Sequence, residues 1–596
     1  TVIKQNDVNV RIYAPVGSHK DLLPYLVRRL LENGANSSFV HRLVDARCPI
    51  EDLVHHPADV LAGRSPLANP HIPLPADLYG DERRNSQGFN IEIEHEWSTF
   101  SDRIKPFIQT QWKAGPLING QLITENVDIK SVLAPYDHSE TVGSIGWANA
   151  DLVNDALNTA AQAYPAWRDT PVNERATALE KLADLLEENY GEFMALCHRE
   201  AGKTIQDSID EVREAVDFCR YYAVQARKNM SAPVSFTRHD QRTIQMTRKG
   251  RGVFVCISPW NFPLAIFLGQ VTAALAAGNT VIAKPAEQTG LIAFRAIELM
   301  LEAGIPAGAI QFMPGDGATV GAPLTSDSRV AGVAFTGSTD TARLINAALA
   351  TRDAAPVPFI AETGGQNAMI IDSTSLPEQV VRDVVRSAFA SAGQRCSALR
   401  VLFVQQDVAD RIIPMIKGAM QERSVGLPEQ HKTDIGPVID REAQSGLLNH
   451  IARLKQEATL IAESPLPAYA EKGTFVAPTA FVIDSIDQLT EEQFGPILHV
   501  VRYKAKELDA VIDRINATGF GLTLGVHSRN ETTAKHIAQR VKAGNIYINR
   551  DQVGAVVGVQ PFGGQGLSGT GPKAGGPHYL NRFTVEHHTV LDTAQA

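Results

Sequence analysis

The chain has 596 residues and a net charge of −10, with 44% hydrophobic and 20% charged residues. At about 150 residues per domain this length makes roughly four domains, or two to three if large α/β domains are present. The composition is that of an ordinary globular protein, which excludes wholesale disorder, and Gly and Pro near average usage exclude a collagen-like chain. The acidic balance excludes a chain built mainly to hold nucleic acid.

The cysteines are Cys48, Cys197, Cys219, Cys256 and Cys396, an odd number with no C-x-x-C pair. That argues against a disulfide framework or a structural zinc site, and fits a reducing, cytoplasmic compartment. No metal ligand set is expected. The first residues, TVIKQNDVNVRIYAPVG, hold no signal-peptide core. The Thr start points to a chain that begins partway through a longer polypeptide.

In chain order, residues 10–45 read as strand, loop and long helix, with Leu22, Leu23, Leu26, Leu30 and Leu31 on an apolar face and Gly34 as the stop. Residues 48–103 are rich in Pro, His and Asn, have little periodicity, and read as a linker on a surface. Residues 150–230 are strongly helical, apolar on one face and charged on the other. Residues 235–249 alternate as a projecting β-hairpin. The 32 residues from Gly252 to Ala283 carry no formal charge, enough for a membrane helix by length alone. Pro259, Asn261, Pro263, Gln270, Gly278 and Asn279 punctuate them and both ends are β-rich, which predicts strand, loop, helix and strand buried in a parallel sheet instead. Candidate strands at 252–257, 280–283, 310–313, 330–335, 367–371 and 401–404 alternate with helices, the pattern of a doubly wound parallel sheet. A further α/β stretch runs to Asn549. A Gly-rich tail (554–576) and a last strand (582–591) come after it, and there is no internal repeat.

Gly564-x-Gly566-x-x-Gly569 has dinucleotide-fingerprint spacing, but no strand precedes it and Gly571, Pro572, Gly575, Gly576 and Pro577 stand where a helix is required. Gly315-x-Gly317 does lie between a strand and a helix. Its third glycine, Gly321, is one residue late, so a nucleotide site there would not use the usual pyrophosphate turn. Cys396, in SAGQRCSALR, is either a small buried hydrophobe or a nucleophile, with Arg395 and nearby N–H groups placed to stabilise a thiolate. Glu362 closes an apolar run before two glycines. It is either a solvated loop acid or a desolvated general base. Asn261, between prolines in SPWNFP, is a turn former or an oxyanion donor.

Together these motifs resemble the aldehyde dehydrogenase superfamily from Trp112 to Thr589. The resemblance rests on PWNFP (259–263), AKPAEQT (283–289), FTGS (335–338), ETGG (362–365), GQRCS (393–397), EEQFGP (491–496) and PFGGQGLSG (561–569), in that order. Thr363 departs from the pattern, since many members have Leu there. Gln394–Ala398 and the loop Gly554–Phe562 narrow the resemblance to the glutamate γ-semialdehyde (pyrroline-5-carboxylate) dehydrogenases. RIYAPVGSHKDLLPYLVRRLLENGAN is similar to the last strand and helix of the proline dehydrogenase barrel, with Arg28 and Arg29 at the pair that grips the proline carboxylate. The two parts in series are the layout of bacterial bifunctional proline utilization A. One strand and helix cannot close a (β/α)₈ barrel. Flavin (FAD) and proline oxidation are therefore expected only if a complete proline dehydrogenase domain precedes this chain.

The resemblance implies an α/β aldehyde dehydrogenase fold: a barrel remnant (1–47), a linker (48–111), a doubly wound NAD-binding domain (112–360) with hairpin 232–250, an α/β catalytic domain (361–549), and an anchor-loop and β-flap oligomerisation segment (550–596). It implies Cys396 as nucleophile, Glu362 as general base, and Asn261 with the Cys396 N–H as oxyanion donors. For NAD it implies Lys284 and Glu287 at the adenosine ribose, Gly337 and Ser338 beside the pyrophosphate, Glu492 at the nicotinamide ribose and Phe494 near the ring. For substrate it implies Ser397 and the Gly554 and Ala555 N–H groups at the α-carboxylate, with Arg395 beside the nucleophile. Phe262 and Phe562 would sandwich the aliphatic part, or simply pack the core. Glu214 would face the α-ammonium, or be a surface helix acid. A homodimer is expected from hairpin 235–249 and strand 582–591. An aldehyde dehydrogenase of other specificity, or an inactive assembly module of this fold, are the alternatives; the anchor loop opposes the first, and the joint retention of Cys396, Glu362, Asn261, Lys284 and Glu492 opposes the second.

Overall fold

The computed structural model describes residues 19–34, 39–65, 67, 69, 71–237 and 243–591. The chain divides into two compact units, Thr1–Leu74 and Pro75–Ala596. In the first, helix His19–Gly34 ends at the expected glycine, and short helices Phe39–Val44, Ile50–Val54 and Pro57–Ala62 come next. Leu23, Leu26 and Leu31 of the long helix are exposed. The strand expected before it lies outside the described residues.

In the second unit, the β-branched runs VFVCI and TVIAK form strands Val253–Ile257 and Thr280–Lys284, buried at every residue as parallel-sheet strands covered on both faces must be. They are the centre of a seven-stranded sheet ordered Phe359–Glu362, Val330–Thr336, Val253–Ile257, Thr280–Lys284, Ile310–Phe312, Leu117–Ile118 and Gln121–Leu122. The first five run parallel. Register sets Ile257 beside Lys284 and Phe335, and Thr336 beside Glu362, so the carboxyl ends of four strands share one edge. In open α/β sheets that edge is where ligands bind. The uncharged stretch 252–283 is thus strand, loop, buried helix Ala265–Ala276 and strand, and no helix among the described residues is long and apolar enough to cross a membrane.

A second seven-stranded sheet is ordered Thr459–Glu463, Thr479–Val482, Ile497–Tyr503, Val401–Gln405, Ala368–Ile371, Thr523–His527 and Asn545–Ile548, parallel except for its first pair. The six strands expected between 252 and 405 therefore divide between two sheets. The reason is local: only residues 363–367 join strand Phe359–Glu362 to Ala368–Ile371. Parallel neighbours in one sheet need a crossover of about a dozen residues or more.

Helices Ala150–Asp169, Val172–Glu188, Tyr190–Ala201 and Ile205–Met230 fill the expected helical region. The expected hairpin is present as Val234–Thr237 and Thr243–Gly250, and Thr584–Leu591 pairs antiparallel with the second of these. The segment read as a linker is not one throughout. From residue 75 it is fastened to the body. Arg83 forms a buried ion pair with Asp217 (2.6 Å), and Ser86 donates to the same carboxylate (2.9 Å). Helix Glu94–Ile104 buries Phe100 against Phe89 and Tyr190, with ring centroids 4.6 and 5.8 Å away. Such anchoring by isolated ion pairs and rings leaves no periodic trace in sequence.

Candidate active site

Cys396 lies in the loop between helix Pro377–Phe389 and strand Val401–Gln405. Ser391, Ala392 and Gly393 turn this loop with φ of 54°, 53° and 67°. Gly393 is obligatory, because a Cβ there would sit 2.2 Å from the Gly495 carbonyl oxygen. The fully buried Arg400 staples the loop: it donates to the Gly393 carbonyl (2.6 Å), the Arg395 carbonyl (3.1 Å), the Gly495 carbonyl (3.3 Å) and Glu492 Oε1 (3.2 Å). Asn367 donates to the Cys396 carbonyl (2.5 Å) and the Ala398 carbonyl (3.0 Å).

Glu362 ends the outermost strand of the first sheet. It is half-buried and lines the same cavity as Cys396, and its Oε1 has no hydrogen-bond partner. Gly564 N–H donates to its Oε2 (3.1 Å). Behind that contact, Asn545 donates to the Pro561 carbonyl (2.9 Å) and accepts from Lys573 (3.2 Å) and from Gly563 N–H (3.3 Å), fixing the 561–564 turn. Burial pushes the Glu362 carboxyl up to about 8, against the Gly564 N–H and the Lys573 ammonium, which pull it down.

The Cys396 thiol is pushed up to about 12, by burial first and then by the carboxylates of Glu492, Glu362 and Glu214. This corrects the expectation that Arg395 stabilises a thiolate. Arg395 is committed elsewhere, in a buried ion pair with Asp207 (2.7 Å), and its guanidinium lies 5.6 Å from the Phe262 ring centre.

The Asn261 amide donates to the Gln394 carbonyl (3.0 Å), which fixes the amide and leaves it a second N–H for an oxyanion. Lys203 donates to the Asn261 carbonyl (2.7 Å) and pairs with Glu211 (3.1 Å), which is fully buried. Glu211 in turn accepts from Leu264 N–H (3.0 Å) and Ala265 N–H (2.8 Å). The loop carrying Asn261 and Phe262 is thereby held at both ends.

A cavity of about 260 Å³ gathers Glu362, Cys396, Ser397, Arg395, Glu214, Phe262, Phe562, Gly554 and Ala555. Asn261 lines a small recess with Lys203, Trp260 and Gln394. Glu214 is half-buried on the cavity wall and is no surface acid; its carboxyl is pushed up to about 8 by burial, with Glu211 adding to the effect. Asp210, Arg213, Asp217 and Arg386 line the cavity too, so both signs of charge face it. Gly554 has φ +77°, and a Cβ there would meet nothing within 4 Å, so its constraint is the backbone conformation and not space.

The expected cofactor residues lie along the strand ends. Lys284 Nζ is 3.0 Å from Glu287 Oε1. Ser338 caps helix Thr339–Thr351, its hydroxyl accepting from Thr341 N–H (3.1 Å), and leaves a helix N-terminus at the sheet edge. Gly337 donates to the Glu362 carbonyl (3.2 Å), and a Cβ there would come within 2.6 Å of the Phe335 ring. Glu492 accepts from Gly365 N–H (3.1 Å) as well as from Arg400. Phe494 packs edge-on against Trp260, centroids 5.5 Å apart, with the Arg400 guanidinium 5.0 Å from its ring centre. An anion-favouring helix end, a cation–carboxylate pair and a fixed second carboxylate suit a dinucleotide. Sequence reasoning missed Arg400, Asn367, Lys203, Glu211, Asn545 and Lys573. Arg400 had a legible signal, a charge immediately before the apolar run VLFV.

Cys396, ahead of a strand of one sheet, and Glu362, at a strand end of the other, line one cavity at the carboxyl ends of a sheet whose edge suits a dinucleotide. The aldehyde dehydrogenase family model matches residues 124–589, and a proline dehydrogenase model matches residues 1–42. The chain belongs to the aldehyde dehydrogenase family. It is 50% identical over 587 residues to the bifunctional protein PutA of Klebsiella aerogenes, covering 96% of this chain and 44% of that protein. It is 36% identical over 499 residues to the 1-pyrroline-5-carboxylate dehydrogenase of Geobacillus kaustophilus, covering 83% of this chain and 95% of that one. The chain thus spans less than half the length of the Klebsiella protein. Among solved structures, a Bradyrhizobium japonicum proline utilization A (PutA) mutant superposes with a TM-score of 0.86 at 51% identity, covering 100% of this chain and 57% of that one. The Thermus 1-pyrroline-5-carboxylate dehydrogenase with bound NAD has a TM-score of 0.81 at 32% identity, covering 85% of this chain and 98% of that one.

Proposed function

We propose that the chain oxidises L-glutamate γ-semialdehyde, the open form of pyrroline-5-carboxylate, to L-glutamate with NAD, as the dehydrogenase half of a bifunctional proline-catabolic enzyme. One observation carries this: a single cavity holds Cys396 and Glu362 together with the anchor residues Ser397, Gly554 and Ala555 and charges of both signs. A zwitterionic aldehyde needs such a wall, and a simple aldehyde does not. Cys396 gives up its proton to Glu362, which passes it on to solvent, and attacks the aldehyde carbon, forming a thiohemiacetal whose oxyanion the Asn261 amide and the Cys396 N–H receive. One such donor is worth roughly 3–4 kcal/mol. NAD, when bound, accepts the hydride. Lys284, Glu287, Gly337, Ser338, Glu492 and Phe494 would hold it. Glu362 then takes a proton from water to hydrolyse the thioester.

Ser397 and the Gly554 and Ala555 N–H groups receive the α-carboxylate, Glu214 faces the α-ammonium, and Phe262 and Phe562 enclose the chain between. The chain works in the cytoplasm as a homodimer beside a linked proline dehydrogenase domain. The match at residues 1–42 and the PutA relatives support the linkage. The exposed Val234, Phe236 and Val590 of the three-stranded flap support the dimer.

The test compares kcat/KM for the semialdehyde and for butanal. Without an α-carboxylate, two or three buried donors stay unpaired at roughly 1–3 kcal/mol each, so discrimination on the order of 10³ is expected. Ser397→Ala should erode it while sparing butanal. Comparable values for both aldehydes in the wild type overturn the substrate assignment.

A further inference from the structure

Arg83 lies in the segment that precedes the aldehyde dehydrogenase match, which begins at residue 124. It is 7% exposed. One nitrogen, Nη1, sits 2.6 Å from Asp217 Oδ1, and the other, Nη2, donates to the Val557 carbonyl at 2.8 Å. Ser86 Oγ and Ser86 N–H also donate to Asp217 (2.9 and 3.3 Å), and the Arg83 guanidinium stacks 3.8 Å from the centre of the Tyr79 ring. The planar fork is therefore held by Asp217, itself fixed by Ser86, and by the Tyr79 ring before it reaches Val557. Asp217 and Val557 both line the substrate cavity, and Val557 comes directly after the Gly554–Val556 turn.

That turn needs holding. Gly554 and Gly558 have φ of +77° and +78°, and a Cβ at Gly558 would press on Tyr221 at 2.9 Å. Its backbone ties are Gly558 N–H to the Gly575 carbonyl, and Val559 N–H and Gln560 N–H to the Val556 carbonyl, all donated from beyond Gly554 and Ala555. The Val557 carbonyl is the point at which a charged side chain grips the stretch from the anchor side. Arg suits this role because it donates through two nitrogens in a fixed geometry to two acceptors at once; Lys has a single nitrogen.

We infer that Arg83 is a positioning residue for substrate choice: it reaches from outside the family-matched region to fix the anchor turn at Val557, and so sets how well the enzyme holds an aldehyde that bears a carboxylate. The inference rests on the proposed semialdehyde substrate and adds to it a residue that touches neither substrate nor cofactor.

The test uses the full chain with Arg83→Met and Arg83→Lys. Arg83→Lys keeps a positive charge beside Asp217 but has no planar fork to present one nitrogen to Asp217 and another to the Val557 carbonyl, so it guards against a variant that merely fails to fold. For both, KM for the semialdehyde should rise by about tenfold, the worth of one well-made charged hydrogen bond, with kcat little changed. KM and kcat for butanal should stay at wild-type values. Hydrogen exchange over residues 554–560 should quicken in both variants while exchange in strand Val401–Gln405 stays slow. An unchanged ratio of semialdehyde to butanal efficiency, or an equal loss for both aldehydes, overturns the inference. A wild type that does not prefer the semialdehyde fails the substrate assignment instead. Exchange then decides for Arg83 alone: unaltered exchange at 554–560 in the variants overturns its grip on the turn.

Discussion

Cys396 is held as a thiol in the unliganded cavity, pushed up to about 12 by burial and then by Glu492, Glu362 and Glu214. Like Glu214, Glu362 is pushed up to about 8 in the same cavity, which poises it near neutral pH as an acid–base group. Its sign is fixed: a base works ionised, so turnover should rise with pH through about 8 and fall below it. Measuring kcat from about pH 6 to about pH 9 checks this, and a flat profile removes Glu362 from the role. Glu362→Gln should give a single burst of NADH and then stall at the thioester; a steady wild-type rate would contradict it. Cys396→Ser should abolish NADH formation while NAD still binds, and appreciable residual turnover would assign the nucleophile elsewhere. Glu287 is part-exposed and only one of its oxygens is engaged by Lys284, which leaves the other oxygen to oppose a 2′-phosphate. NAD should beat NADP by at least about tenfold in kcat/KM, roughly 1.4 kcal/mol, and Glu287→Gln should narrow the gap.

Two helices flanking the cofactor sheet begin on buried glutamates from other helices. Glu200 accepts from Leu291 and Ile292 N–H (2.7 and 2.9 Å) at the start of helix Gly290–Glu302, and Glu211 does the same for Leu264 and Ala265 at helix Ala265–Ala276. Either truncation strands two buried donors at roughly 1–3 kcal/mol each. The two glutamates differ in their remaining contacts. Glu211 also pairs with Lys203, which holds the Asn261 carbonyl, so Glu211→Ala should lower both the unfolding midpoint and kcat. Glu200→Ala should lower the midpoint alone. Denaturant melts and rates on the two variants check this, and equal kcat losses would contradict the distinction. Neither cap was legible in sequence, because the partners lie 91 and 53 residues away and a buried Glu looks like any helix acid. The strands were legible because their apolar runs end in Gly and Pro. Cys396, Glu362 and Asn261 stand out through local motifs, GQRCS, ETGG and PWNFP, and the structure places the first two on one cavity and the third on an adjoining recess. What stayed hidden were residues such as Arg83, whose contacts with Asp217 and Val557 lie 134 and 474 residues away.

At the scale of the whole molecule, the flap is the element that cannot stand alone. It has three antiparallel strands, Val234–Thr237, Thr243–Gly250 and Thr584–Leu591, with the first and last at its edges. Val234, Phe236 and Val590 are 41%, 50% and 61% exposed, so apolar side chains and two strand edges face outward together. A small sheet of this kind is marginal without a partner, and its open edges invite pairing. A second copy of the chain would cover it, which motivates the dimer. Phe236→Glu places a charge in that contact while lying far in sequence from Cys396 and Glu362. Sedimentation should show two 64.6 kDa chains for the wild type and a shift toward one chain for the variant. A wild type that sediments as a single chain, or a variant that stays fully paired, would show that the flap is covered by something other than a second copy.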